Sequence, residues 1–505
     1  MAGQVASRLL GFARDAVTAA LFGRTGATDA FFAAQTVSQT VYDLLVGTTI
    51  TAALIPIFSQ HADEDDLSEL WRIANVVITL GVLLLSGAAA VLITLAPQVM
   101  GLTVQFSAGT DQQLATQLAR IVMPSFIFLG LSGILTSLLY SMRNFLYSAF
   151  CVAALNGAVV VSAVLFHRQL GVASLAVGMV AGSVMMVLCQ LPPLMQARMR
   201  FRFSLDLRHP EVQRIGKLCL PVAGFMFVTI AGIIIDRRLA SQTGAGNISA
   251  MQYATKIVQL PLGLISTALG VAILPTLSRH ALEPGLERYK EVLSRGLKFV
   301  LALIVPMTVA VLALNNQILA LVYQHGQFTA ADRHVTSLAL YLYAPELPFA
   351  AMDYLLIAAF YALKNTLVPA LIGVVGVCVY LAVALPLVGT MGFPALVIAN
   401  TLKDSIHGVI LLVLLWRRLG SLQGYTLGES ALKMALAGAA MAVVALAVAF
   451  GLGHVTTLAT FSGQVLQLVI AGGAALAVYV GLAAAMRLDE VYMAWNIISR
   501  RLRPA

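Results

Sequence analysis

The chain has 505 residues, of which 60% are hydrophobic and only 10% are charged. A soluble globular domain carries about 25% charged residues, so the composition excludes that class, and the mean hydropathy of +0.90 predicts a polytopic membrane protein. The net charge of +9 follows from an excess of Lys and Arg in cytoplasmic loops. We therefore expect no nucleic-acid partner, and both termini in the cytoplasm.

The apolar segments predict an all-α fold with about fourteen transmembrane helices, since a crossing helix needs about 20 mostly apolar residues. The first segment carries its charges within the apolar run, which favours a retained helix over a cleavable signal peptide. In chain order the predicted spans are 3–23, 29–58, 73–100, 118–142, 146–166, 171–195, 216–240, 250–278, 297–323, 335–362, 366–388, 392–416, 429–452 and 463–486.

Polar residues share one side of each of the first two spans. When residues are placed about 100° apart, each polar set falls within an arc of about 120°. A polar face does not suit lipid, so two neighbouring faces predict the wall of a water-filled cavity. On the first span the set is Ser7, Arg8, Gly11, Arg14, Asp15 and Thr18, and on the second it is Asp29, Thr36, Gln39, Thr40, Asp43, Gly47 and Thr51.

Later spans also carry charged and polar residues, and each charge at the bilayer centre costs about 2.5–3.5 kcal/mol on insertion scales. These residues are Asp236, Arg237 and Arg238 on the seventh span, Lys256 and Gln259 on the eighth, Glu346 and Asp353 on the tenth, and Lys403 and Asp404 on the twelfth. Each charge is compatible with an ion pair, with ion binding or with ligand contact. Arg8 and Lys256 have no adjacent acid, which favours ligand contact for these two.

The predicted cavity suits a phosphate ligand, because arginine can donate two hydrogen bonds to phosphate and stays charged when it is desolvated. Arg8, Arg14, Arg24 and Lys256 would together attract an anion. A diphosphate group is the predicted guest of the cavity.

The chain resembles itself at a nearly constant shift. TGAT at 25–28 recurs as TGAG at 243–246, and LYSMRN at 139–144 recurs as FYALKN at 360–365. Each copy holds six spans, an even number, which predicts two parallel six-helix lobes related by an axis along the membrane normal. Such a two-lobed bundle indicates a transporter that works by alternating access rather than a channel.

The repeat predicts the domain organisation. The predicted parts are an N-terminal lobe at 1–197, a basic cytoplasmic linker at 198–215, a C-terminal lobe at 216–420, and two further helices with a cytoplasmic tail at 421–505. The linker serves as an orientation signal or binds lipid headgroups, and its composition favours neither reading.

The sequence lacks the motifs of an enzyme. It has no Walker motif and no catalytic-triad pattern, and its four Cys and eight His residues show no metal-type spacing. We therefore expect neither catalysis, nor a metal, nor a cofactor.

Several stretches resemble the MurJ (MviN) family of lipid II flippases, within the superfamily that includes multidrug and toxin extruders. The matching stretches are SRLLGFARD and ATDAFF at 7–32, IDRRLAS at 235–241, YATKIVQLPLG at 253–263, YQHGQFTAAD at 323–332 and FYALKNTLVP at 360–369. The resemblance implies fourteen helices and a cationic cavity between the lobes. It also implies export of undecaprenyl-diphosphate-linked peptidoglycan precursor across the bacterial inner membrane for cell-wall synthesis.

The resemblance assigns substrate contact to Ser7, Arg8, Arg14 and Asp29, and to Lys256 where the family usually has arginine. Tyr42 and Gln259 are further candidates for substrate contact in the cavity, although Tyr42 replaces a frequent arginine of the second helix and Gln259 replaces a frequent acid. These two departures keep two alternatives open, namely a flippase for another polyprenyl-linked glycan and a cation-coupled multidrug exporter. In a third alternative the chain is not a transporter but a membrane scaffold for cell-wall synthesis proteins.

The expected partners are lipid II, the membrane and cell-wall synthesis proteins, and the chain is expected to act as a monomer. Outward movement of an anion across an inside-negative membrane releases about 2.3 kcal/mol per charge per 100 mV. Membrane potential, Na⁺ or H⁺ is therefore expected to drive the cycle. Asp15, Asp43, Asp236, Arg237, Glu346 and Asp353 are the candidates for ion binding or for structural charge pairs.

Overall fold

The computed structural model describes residues 2–45, 47–62, 67–106, 109–197, 199, 201–206, 210–281, 283, 285–420, 427–458 and 460–488. All regular structure within these residues is helical, which confirms the predicted all-α fold of a polytopic membrane protein. Contacts divide the chain into two compact units, one formed by residues 1–249 and 325–329 and the other by residues 250–324 and 330–505. A division by contacts does not test where the repeat begins, so the linker at 198–215 stays a prediction.

Within the residues that the structure describes, unit one contains ten helices. They are α1 (Ala2–Phe22), α2 (Gly26–Leu45), α3 (Gly47–Ala62), α4 (Ser68–Thr94), α5 (Ala96–Thr103), α6 (Gly109–Val122), α7 (Ser125–Ser141), α8 (Leu146–Leu170), α9 (Ala173–Gln196) and α10 (Pro210–Gln242). Helix α11 (Asn247–Ala272) begins in unit one and continues into unit two.

Unit two holds the remaining helices. They are α12 (Leu274–His280), α13 (Glu287–Ala313), α14 (Asn315–Tyr323), α15 (Ala330–Tyr343), α16 (Leu347–Ala362), α17 (Leu367–Met391), α18 (Phe393–Leu419), α19 (Leu427–Gly453) and α20 (Phe461–Ala485). A short 3₁₀ turn, Ala344–Glu346, separates α15 from α16.

Several predicted spans consist of two helices, and the breaks recur at the repeat spacing. The third span breaks at Leu95 and the ninth at Leu314, while the fourth breaks beside Pro124 and the tenth at Pro345. Proline lacks a backbone N–H and disrupts the helix interior, which explains the second pair of breaks. Over the described residues, nine helical segments are long and apolar enough to cross a membrane, and one of them, Asp111–Ser141, comprises α6 and α7.

The repeat is also visible in local backbone geometry. Arg143 follows α7 with φ of 57°, and Lys364 follows α16 with φ of 56°. The Arg143 N–H donates to the Tyr140 carbonyl at 3.0 Å, and the Lys364 N–H donates to the Tyr361 carbonyl at 2.9 Å. Both helices therefore end in the same left-handed cap, although this position usually favours glycine.

Helices α8 and α9 approach closely because two glycines lie four residues apart on α9. A Cβ atom on Gly178 would lie 2.8 Å from the Val159 Cα, and one on Gly182 would lie 2.8 Å from the Leu155 carbonyl oxygen. Small residues at this spacing let membrane helices approach each other closely. The close α8–α9 contact fixes the position of α8, against which α1 also packs.

Replacing Gly182 by alanine is therefore expected to destabilise the protein by about 1–3 kcal/mol, because the new methyl group meets the backbone of α8. Thermal unfolding of the purified protein in detergent measures this loss. Gly157 on α8 is the matched control, because a Cβ there meets no atom within 4 Å. Equal unfolding temperatures for Gly182→Ala and Gly157→Ala would contradict the packing argument.

The two C-terminal helices belong to the core of unit two. Met441 and Ala445 of α19 pack with Ala475 and Tyr479 of α20. The Tyr479 hydroxyl donates to the Ala302 carbonyl of α13 at 3.1 Å. Helices α19 and α20 are thus anchored on α13 and α14.

Candidate functional site

The polar face of α1 holds an arginine that is fixed by two side chains. The Arg14 side chain is only 16% exposed. Its Nε and Nη2 donate to Asp15 Oδ1 at 3.0 and 2.8 Å, and its Nη1 donates to Asn156 Oδ1 of α8 at 3.1 Å. Neighbouring residues on a helix rarely face each other, but the long arginine side chain reaches the adjacent carboxylate.

The bonds to Arg14 leave capacity for a ligand. A guanidinium carries five N–H groups, and the bonds to Asp15 and Asn156 use three of them. Two N–H groups therefore remain for an anion. The ion pair and a ligand contact, which the sequence leaves as alternatives, are compatible at this residue.

Asn156 fixes α1 against α8 and is absent from the residues that the sequence singled out. Its Nδ2 donates to the Ser7 carbonyl at 3.2 Å, and a Cβ on Gly11 would lie 3.2 Å from the same nitrogen. Arg8 lies on the same helix and is half-buried. An amide within an otherwise apolar span was the available signal, because a buried polar group needs hydrogen-bond partners.

Asp29 is fully buried at the start of α2 and binds the beginning of α11. The Gly246 N–H donates to its Oδ2 at 2.6 Å, and the Ser249 N–H donates to its Oδ1 at 2.7 Å. The Ser249 hydroxyl also donates to Oδ1. A carboxylate at a helix N-terminus pairs with the unsatisfied amides and the positive end of the helix dipole.

Arg24 acts on the same turn from the α1–α2 connection. Its Nη1 donates to the Ala245 carbonyl at 3.2 Å and to Asn247 Oδ1 at 3.3 Å. We name Arg24, Asp29 and residues 245–249 the loop latch. The latch connects the turn at TGAT (25–28) with the turn at TGAG (243–246). These two turns correspond to each other in the sequence repeat.

The remaining candidates of unit one lie further along the helices. Tyr42 and Asp43 are half-buried on α2, and Gln39 Nε2 donates to Asp43 Oδ1 at 3.1 Å. Asp236 and Arg237 are half-buried near the end of α10. These residues therefore lie on the helices that were predicted to carry them.

The adjacent Arg238 stabilises the end of helix α5. It donates to the Gly101 and Leu102 carbonyls at 2.8 and 3.2 Å and to Gln105 Oε1 at 3.0 Å. These carbonyls belong to the C-terminal end of α5, where cations are favourable.

In unit two, Lys256 and Gln259 are one helical turn apart on α11. Lys256 Nζ lies 3.4 Å from Gln259 Oε1, and the two can form a hydrogen bond in which the lysine donates. The two residues thus form a polar pair on α11, and the resemblance implies substrate contact at this part of the helix. The substrate roles of these residues stay predictions.

Charged residues of α16 and α18 form a second group in unit two. His407 Nδ1 lies 2.8 Å from Asp353 Oδ1, and Lys403 Nζ lies 3.5 Å from Asp404 Oδ1. Glu346 is buried beside Thr401. The sequence singled out the acids, whereas the part played by His407 emerges only from the packing of α16 on α18.

Comparison with known proteins places the chain in one family. The family model described as lipid II flippase MurJ matches residues 18–472. A probable lipid II flippase MurJ of Bdellovibrio bacteriovorus is 28% identical over 452 residues, which cover 87% of this chain and 85% of that protein. The lipid II flippase MurJ of Burkholderia cenocepacia is 27% identical and covers 76% of this chain and 77% of its own length.

Solved structures agree with the fold. A lipid II flippase MurJ in an inward closed conformation has a TM-score of 0.79 at 21% identity, over 96% of this chain and 99% of that one. An inward-facing MATE family transporter of the MOP superfamily has a TM-score of 0.65 at 13% identity, over 83% of this chain and 96% of that one. The likeness to these structures shows a shared fold, and by its sequence the chain belongs to the lipid II flippase MurJ family.

Proposed function

We propose that this chain is a flippase that moves lipid II from the cytoplasmic to the outer leaflet of the bacterial inner membrane by alternating access. The observation that carries the proposal is the half-buried Arg14, which keeps two N–H groups for an anion within a spanning helix. Membership of the family supports the same substrate. The chemistry is binding and release of a diphosphate headgroup and needs no bond to be broken.

Arg14 suits a diphosphate for physical reasons. Asp15 and Asn156 fix the guanidinium before the ligand arrives, so little side-chain freedom is lost on binding. Asp15 balances part of the arginine charge, which keeps the site from holding the anion too tightly. Arg8, one to two turns away on α1, adds positive charge along the path of the headgroup.

The loop latch is a set of contacts that can break and re-form during the transport cycle. It lies at the end of α1 that the positive-inside pattern places outside. Release of a headgroup to the outer leaflet requires the α1–α2 and α10–α11 turns to separate there. The bonds of Arg24 and Asp29 then break together, and they re-form when the site opens to the cytoplasm.

We further infer the membrane topology, the oligomeric state and the driving force of the flippase. Both termini lie in the cytoplasm, the chain acts as a monomer, and cell-wall synthesis proteins receive the exported precursor. Membrane potential supports export, because the diphosphate carries negative charge outward. An additional cation resets the empty carrier.

Depletion in living cells tests the proposed function. In a bacterium whose own lipid II flippase is removed, expression of this chain is expected to restore lipid II in the outer leaflet, detected by an enzyme that cleaves only exposed lipid II. Unchanged outer lipid II with and without the chain would refute the proposal.

Tyr42 and Gln259 motivate a comparison of substrates in the same cells. Restored export of another polyprenyl-linked glycan with no lipid II export would favour the first alternative substrate. Increased resistance to cationic drugs without lipid export would favour the drug exporter.

A further inference from the structure

Unit two contains a group of ionisable side chains that the flippase mechanism above does not use. We name Glu346, Asp353, Lys403, Asp404 and His407 the proton cluster. Glu346 is only 7% exposed, and the Asp353 and His407 side chains are 20% and 15% exposed. Ionisable groups within spanning helices are costly and commonly serve ion or proton movement.

The cluster lies where a spanning segment is interrupted. Glu346 ends the 3₁₀ turn Ala344–Glu346 between α15 and α16, near the middle of residues 330–362. Pro345 prevents a continuous helix there. Interrupted helices are where transporters place ion sites, because backbone groups and polar side chains then meet within the membrane.

Two helices bring the cluster together in matched order. Glu346 lies beside Thr401. Asp353, seven residues after Glu346, lies beside His407, which is six residues after Thr401. Seven residues span about 10 Å of helix. The close fit depends on Gly408, where a Cβ would lie 3.1 Å from the Phe349 carbonyl oxygen of α16.

Glu346 has weak hydrogen-bonding support for a negative charge. Its Oε2 accepts a long hydrogen bond of 3.5 Å from the Thr401 hydroxyl, which also donates to the Leu342 carbonyl at 2.8 Å. A buried carboxylate needs strong donors, because burial penalises the charged form. A proton on Glu346 removes this penalty.

His407 contacts an acid and a backbone carbonyl. Its Nδ1 lies 2.8 Å from Asp353 Oδ1, and its Nε2 lies 3.4 Å from the Pro369 carbonyl oxygen of α17. The adjacent acid and the carbonyl oxygen favour the charged imidazolium, because that form donates from both ring nitrogens.

Few other charges act on Glu346. The helices packed around its turn are α13, α15, α16 and α18. On α18 the charges that act on Glu346 are Asp404 and Lys403, and Asp404 in turn interacts with Asp353 and His407. On α16 the acid is Asp353, and the charges of α13 and α15 lie in their N-terminal parts, at Glu287–Lys298 and Asp332–His334.

A proton fits this cluster better than a metal ion. Lys403 and the protonated His407 place positive charge where a metal cation would have to bind. Within the part of the chain that the structure describes, no three His, Cys, Asp or Glu side chains converge to hold a metal. Lys403 and Asp404 form the more exposed end of the cluster, at 31% and 42%.

We propose that the proton cluster binds a proton at Glu346 in one state of the carrier and releases it in the other, so that proton entry drives lipid export. The inference rests on the proposed function, because it names the cation that resets the empty carrier. Release of the proton leaves Glu346 as a buried anion beside Asp404. Because this state is unfavourable, the carrier favours any conformation in which Glu346 can bind a new proton.

Infrared difference spectroscopy tests the proton site without any transport. The full-length protein in lipid is titrated from mildly acidic to mildly alkaline pH, and the band of a protonated carboxyl group is followed. We expect this band to titrate in the wild type, to disappear in Glu346→Gln, and to persist in Glu429→Gln, where a surface carboxylate paired with Lys433 is neutralised. Identical spectra for Glu346→Gln and the wild type would overturn the proton site.

Glu346→Gln is a suitable variant because its amide oxygen can accept the hydrogen bond that the Thr401 hydroxyl donates to Glu346. The fold is therefore retained while the proton is fixed. In proteoliposomes with labelled lipid II, an imposed pH gradient is expected to shift the lipid distribution of the wild type by about tenfold per pH unit for each coupled proton. Glu346→Gln is expected to show no response to the gradient, whereas Glu429→Gln responds as the wild type does.

The outcomes separate the two proposals. A response to a Na⁺ gradient with no response to pH would overturn the proton cluster and leave the flippase intact. A gradient response retained in Glu346→Gln would also overturn it. No lipid movement by the wild type under any gradient would overturn the flippase, and the infrared titration would then judge the proton site by itself.

Discussion

Replacing Arg14 by alanine is expected to abolish lipid II export while the protein remains folded in the membrane. The substitution removes the guanidinium that Asp15 and Asn156 hold in place. Loss of one partner of a desolvated charged pair costs about 2–5 kcal/mol, which is about thirtyfold or more in binding. Lipid II exposed at the outer surface of cells that depend on this chain measures the effect.

Three further variants make the Arg14 result specific. Arg14→Lys keeps the charge but loses the fork of donors, so partial loss of export is expected. Asn156→Ala leaves the pair with Asp15 intact and is expected to have an intermediate effect. Arg72→Ala is the control, because Arg72 is exposed and pairs with Asp206 at the surface. Export by Arg14→Ala at the level of Arg72→Ala would contradict the anion site.

Replacing Asp29 by asparagine is expected to open the loop latch. The carboxylate accepts hydrogen bonds on both oxygens from Gly246 and Ser249, whereas an amide offers one acceptor and turns its NH₂ group towards a donor. A buried donor left without a partner costs about 1–3 kcal/mol. Hydrogen exchange of the amides in residues 244–250 should therefore accelerate by about tenfold or more, and lipid II export should fall.

A graded series separates the latch from general damage to the fold. Ser249→Ala removes only the hydroxyl donor and should accelerate exchange less than Asp29→Asn does. Asp206→Asn makes the same chemical change at an exposed salt bridge with Arg72, where little stability is at stake. Unchanged exchange at residues 244–250 in Asp29→Asn would show that the latch does not hold the two turns.

Hydropathy predicted the fold well because membrane spans need long apolar runs. It could not predict the breaks in those spans, since the apolar character continues through Leu95 and Leu314. These two breaks become visible only in the backbone, whereas the breaks at Pro124 and Pro345 coincide with a proline in the sequence. Internal similarity was more informative, because Arg143 and Lys364 repeat one rare backbone conformation at the spacing that the sequence indicates.

The candidate site was predicted in its residue types and less well in its contacts. The helical period places Arg8, Arg14 and Asp15 on one face, but it does not reveal which helix packs against that face. Asn156 therefore had no sequence signal beyond its polarity. Asp29 shares a polar arc with the cavity residues, yet its two oxygens bind the start of α11, because a distant helix N-terminus provides the strongest donors.

Transport by the purified chain in proteoliposomes tests the central claim most directly. Labelled lipid II is placed in both leaflets, and its movement is followed by an externally added enzyme that modifies only accessible headgroups. We expect the wild type to move lipid II between the leaflets and Arg14→Ala to leave it where it was inserted. Lipid II that stays in place with the wild type, or that moves equally fast with Arg14→Ala, would contradict the account.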